Sequence, residues 1–97
     1  MAELKNENAK AILEYLVSNE GADFTANDIA TALGLGIKSV NGILTMSFAR
    51  HKDENGNVVP LIEREEFTAT VDGKSKIQKY IRLLPAGKEF AAELNIQ

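Results

Sequence analysis

Between Lys38 and Lys52 the residues able to make directed polar contacts fall on one side of an apolar helical pattern. On a wheel of about 100° per residue, Ile37, Val40, Ile43, Leu44, Ser47 and Phe48 share one arc. Lys38, Gly42, Thr45 and Ala49 lie opposite, flanked by Asn41, Met46 and Lys52. Lys38, Ser39, Asn41 and Thr45 could hydrogen-bond base edges or phosphates, and of these Asn41 is suited to bidentate contact with adenine. Gly42 in mid-helix costs about 1 kcal/mol relative to Ala, so its bare backbone suits some close approach. Arg50, Lys52, Lys74, Lys76 and Lys79 supply positive charge of the kind that neutralises phosphate. The alternative is that the polar residues of the helix are plain solvated surface, and any one of these bases could as well be a solubilising charge; Met46 reads as a core-edge residue.

Other chemistries lack their parts. The chain has no Cys, which excludes a thiolate metal site or nucleophile, and a single histidine, His51, without a nearby second ligand, so neither a metal site nor a catalytic dyad is expected. His51 instead reads as the end of the third helix, where a cation is favoured. Gly34-Leu-Gly36-Ile-Lys38-Ser39 lacks the spacing and the adjacent Gly-Lys pair of a phosphate loop. Asp53-Glu-Asn-Gly-Asn57 lacks the calcium-loop spacing and its bidentate Glu. Glu63, Glu65 and Glu66 could pose as paired catalytic carboxylates, but nothing else builds a substrate pocket, and a charge-guarded edge strand explains them. The expectation is therefore no enzyme, no catalytic residue, no metal and no cofactor.

These residues sit in a chain of 97 residues, read as one domain over 1–97, with 44% hydrophobic and 26% charged residues. There is no apolar run long enough to span a membrane and no signal-peptide pattern at the N-terminus, so a cytoplasmic protein is expected. The net charge of −3 looks wrong for a polyanion binder, but it is unevenly spread. Residues 1–28 carry −4 and residues 53–67 carry −4, whereas 29–52 and 68–82 each carry +3. Two basic segments thus stand in an acidic frame.

The spacing predicts a helix over residues 4–19, with Ala9, Ile12, Leu13, Leu16 and Val17 on its inner face and Gly21 as the stop. A second helix, 25–33, opens on Thr25-Ala-Asn-Asp28, a capping-box-like start, and ends at Gly34. The third runs over 37–51. After the turn at Asn55-Gly56, Pro60 opens a strand over 61–68, and a second follows over 76–84, where Ile77, Lys79, Ile81 and Leu83 alternate with Gln78, Tyr80 and Arg82. Asp72-Gly73 lies midway between them and makes the pair a hairpin. Pro85 can start a last helix, 86–94, with Phe90, Ala91 and Leu94 inward.

The segment from Thr25 to Leu44 resembles a helix-turn-helix, with small Ala30 at the crossing, Gly34 in the turn, and Val40 and Ile43 facing the preceding helix. Leu61-Ile62-Glu63-Arg64, a hairpin, then Leu83-Leu84-Pro85-Ala86-Gly87 resembles the wing and exit of winged-helix regulators of the MarR type, over roughly residues 5–94. The resemblance implies an α+β winged-helix fold: a three-helix core, a two-stranded wing and a short C-terminal helix. It also implies a transcriptional regulator that binds double-stranded DNA sequence-specifically. The helix around Lys38–Lys52 would enter the major groove, and the Thr68–Lys79 hairpin would meet phosphates or the minor groove. The alternative is a winged-helix protein-interaction module, in which helix 1 or the acidic strand Glu63–Glu66 meets a basic partner. A phage or mobile-element protein that occupies a host regulator is a third option, and a homodimer spanning half-sites about 34 Å apart is compatible with any DNA-binding form.

Overall fold

The computed structural model describes residues 6–94. Asn6, in extended conformation, caps the first helix: its Oδ1 accepts from the Asn8 and Ala9 amides at 2.9 and 3.2 Å. Helix α1 (Glu7–Ser18) therefore begins later than the expected residue 4, and residues 1–5 lie outside those described. Helix α2 (Ala26–Leu33) carries the expected capping box, with the Thr25 amide donating to Asp28 and the Asp28 amide to Thr25 Oγ1. It ends as expected at Gly34, in the left-handed region at φ 67°.

The third helix departs from expectation. It is α-helical only over α3 (Ile37–Ile43) and continues as π-helix through Leu44–Ala49, the Arg50 amide donating to Thr45 O at 3.0 Å. Leu44 and Phe48, four apart in the π segment, are fully buried, as is Val40 before them. The chain leaves the helix before Arg50, so the expected continuation to residue 51 does not form. His51 turns back instead, with its ring 4.6 Å from that of Phe90. The expected buried arc is also narrower than a uniform wheel implies: Ile37 is exposed, Ile43 and Ser47 are half-buried, and Met46 is 64% exposed rather than at the core edge.

Asp53 Oδ1 then ties the next loop by accepting from the Asn55 and Asn57 amides. Strands β1 (Ile62–Val71) and β2 (Lys74–Leu83) pair antiparallel, from Ile62 opposite Leu83 to Val71 opposite Lys74. Both differ from the expected 61–68 and 76–84, because the ladder runs unbroken to a two-residue turn at Asp72 (φ 52°) and Gly73 (φ 76°). Helix α4 (Pro85–Glu93) starts on its proline, one residue before the expected 86. The architecture is α+β: four helices and one antiparallel hairpin in the order ααα-ββ-α. Among the described residues no single helix is long and apolar enough to cross a membrane.

The core joins Ile12, Leu13 and Leu16 of α1, Phe24, Ile29, Val40, Leu44 and Phe48, the roots of the strands (Leu61, Ile62, Ile81) and Ala91 of α4. Period-two alternation in β2 leads to burial only where this core lies behind it. Ile81 is buried, but Ile77, four residues nearer the turn, is 72% exposed. The hairpin root is held on its open edge too. Thr25 and Tyr80 form an isolated antiparallel bridge, and the Ile81 amide donates to Phe24 O at 3.0 Å.

Candidate nucleic-acid interface

The polar residues of α3 stand free. Lys38, Ser39 and Asn41 are exposed, and among the described residues their side chains have no partner. Gly42 is exposed as well, and beyond its own helix backbone a Cβ placed on it meets nothing within 4 Å, so among the described residues no other element makes the close approach its backbone allows. Thr45 is different. It is half-buried and turned toward the hairpin, where its Oγ1 accepts from Arg64 Nη2 at 3.2 Å.

Between α3 and the hairpin lies an open cleft of about 480 Å³, walled by Asn41 and Thr45 on one side, Arg64, Ile77 and Lys79 on the other, and closed by the start of α2 at Thr25. The strand register explains which hairpin residues reach it. Ile62, Arg64, Glu66 and Thr68 share one face with Leu83, Ile81, Lys79 and Ile77. Glu63, Glu65, Phe67, Ala69 and Val71 share the other with Arg82, Tyr80, Gln78, Lys76 and Lys74.

The ten candidate residues consequently divide. Lys38, Ser39, Asn41 and Gly42 share the exposed side of α3, with Thr45 and Lys79 on the cleft walls. Lys79 is 3.9 Å from Glu66, its cross-strand neighbour. Arg50 and Lys52 lie beyond the helix: Arg50 Nη1 donates to Met46 Sδ at 3.9 Å, and Lys52 forms an isolated bridge with Val58. Lys74 and Lys76 are exposed on the face turned away from the cleft.

That outer face has its own organisation. Phe67 and Tyr80 stack with centroids 3.8 Å apart and planes 13° apart, outside the core cluster, and the Arg82 guanidinium lies 5.1 Å from the Tyr80 ring centroid. Arg82 also binds Asp23 at 2.8 Å, Glu65 at 3.2 Å and the Ala22 carbonyl at 3.3 Å. The hydrogen bond it donates to Asp23, opposed by desolvation, raises the guanidinium above its ordinary value.

Arg64 and Ile77 are the residues that the sequence reading missed at this cleft. Arg64 lies in the acidic segment 53–67, yet alternation alone separates it from Glu63 and Glu65. A larger cleft, about 550 Å³, lies under His51 and Phe90, but Asp53, Glu89 and Glu93 on its rim would repel a polyanion. Among the described residues no group of three His, Asp or Glu is placed to hold a metal ion. Comparison with protein-family models, curated proteins and solved structures finds no significant match to this chain.

Proposed function

We propose that this chain is a winged-helix protein that binds double-stranded DNA, with the exposed side of α3 in the major groove and the hairpin as a wing beside the backbone. The observation that carries this reading is the set Lys38, Ser39, Asn41 and Gly42: exposed, without partners among the described residues, and carrying no acid. A solvated helix ordinarily mixes both signs of charge on its outer face. Further support comes from the turn of 117° between Ala26–Leu33 and Ile37–Ala49, within the range of about 90–120° used by helix-turn-helix motifs. A role in transcriptional regulation, as in MarR-type proteins, belongs to the same proposal.

The test is fluorescence anisotropy of a labelled random-sequence duplex at about 50 and 200 mM salt, where each neutralised phosphate multiplies the loss of affinity by about 3.5-fold. Binding that weakens steeply, and weakens further in Lys38→Glu, supports the proposal. A folded protein that fails to bind at low salt refutes it. The second reading, a protein-interaction module, would then gain from Phe67 and Tyr80, the aromatic pair stacked outside the core on the outer face of the hairpin.

A further inference from the structure

The cations of the two strands are not equivalent. Lys79 has Glu66 within 3.9 Å, and Arg82 is held by Asp23 and Glu65. Arg64 has no carboxylate partner among the described residues: its sequence neighbours Glu63 and Glu65 project from the opposite face of the hairpin, and Glu66, on its own face, lies against Lys79. Among the described residues its side chain donates to a neutral hydroxyl, Thr45 Oγ1, which fixes the guanidinium against the third helix. The remaining N–H groups of the fork are left over on the wall of the cleft.

A half-buried guanidinium without a counter-ion, steered into an open cleft, is an arrangement that an anion completes. Position decides which anion. Arg64 stands on the hairpin wall of the cleft, bonded across it to Thr45 and sharing its lining with Asn41 of α3. A duplex docked on that side presents its base edges to α3, and the strand passing between helix and hairpin presents its backbone.

We infer that Arg64 is a DNA-backbone contact: it seats one phosphate in the cleft between α3 and the hairpin, with Thr45 holding its guanidinium in place. The inference rests on the DNA-binding reading above. It deepens that reading by assigning a phosphate contact to a residue of the acidic strand. Ile77, 72% exposed on the same wall, marks the path of the same strand toward the hairpin tip.

The experiment measures the salt dependence of duplex binding for wild type, Arg64→Gln and Ile77→Lys, with thermal melts of each. Gln keeps an N–H donor for Thr45 but removes the charge, so the slope of log K against log salt should become shallower by about 0.9. The affinity loss should be equal for duplexes of different sequence, because a phosphate carries no sequence information. Ile77→Lys, a change at an exposed position, should steepen the slope by a similar amount, and it keeps the test decisive if the Gln variant is destabilised. Unchanged slopes in both variants overturn the inference while leaving DNA binding itself intact. A loss confined to certain sequences also overturns it, since Arg64 would then read a base. Absence of salt-dependent binding by wild type removes both the inference and the function it rests on.

Discussion

The carbonyl oxygen of Leu61 occupies the space that a side chain on Gly87 would need: a Cβ built on Gly87 would stand 2.4 Å from it and 2.5 Å from Leu83 Cδ1. That oxygen is not free to withdraw. It accepts from the Leu84 amide at 2.9 Å, and the Leu61 amide donates in turn to Phe48 O at 2.9 Å. The start of α4, the entry to β1 and the end of the π segment are thereby fixed to one another through consecutive backbone groups.

Gly87→Ala should therefore destabilise the protein, although alanine is ordinarily the better helix former by about 1 kcal/mol. Overpacking of this kind costs about 1–3 kcal/mol, and each kcal/mol lowers the melting midpoint of a domain this size by about 4–8 °C. A thermal melt checks it, and a midpoint at or above that of wild type would show that the Leu61 carbonyl gives way.

The same substitution at Gly42 should have the opposite sign for stability. Beyond its own helix backbone the added methyl meets nothing within 4 Å, and the helical backbone there suits alanine, so a gain of about 0.4–1 kcal/mol is expected from the smaller entropy of the unfolded chain. Duplex affinity should fall in the same variant, because the methyl stands on the side of α3 proposed to meet DNA. Melting and anisotropy on one preparation separate the two effects, and an affinity equal to wild type would remove Gly42 from the interface.

Phe67 and Tyr80 should stabilise the hairpin as a pair. A double-mutant cycle with Phe67→Ala, Tyr80→Ala and the double variant, read from urea midpoints, is expected to give a coupling of about 0.5–1.5 kcal/mol. Strict additivity would mean that the stack seen between the strands contributes nothing beyond each ring's own burial.

Local signals in the chain predicted local structure well. The Thr25–Asp28 capping box and the left-handed Gly34 depend on residues within one helical turn, and both form as their types imply. The π segment is out of reach of a wheel of constant period, which assumes one hydrogen-bond pattern, and no residue type at Leu44 marks the shift from one pattern to the next. The strands were read short because a hairpin beyond the core has water on both faces, so Ala69–Val71 and Lys74–Lys76 show no burial-driven alternation. At the candidate interface, Lys38 and Asn41 were legible from a single helix. Arg64 required the register, since its bond to Thr45 joins residues that only tertiary structure brings together. Lys74 and Lys76 were grouped with Lys79 by sequence proximity, and the register puts them on opposite faces.

The hairpin's anchoring is confined to its root, where Ile62 and Ile81 enter the core and Thr25 bridges to Tyr80. From Thr68 to Ile77, among the described residues, the ladder itself holds the two strands, so that stretch can fray and re-form while the rest of the molecule stays native. Substitutions there change little in global folding free energy. This is consequently the part of the protein in which residue identity is least constrained by the fold, and in which selection could retune what the tip touches without endangering the scaffold that carries it.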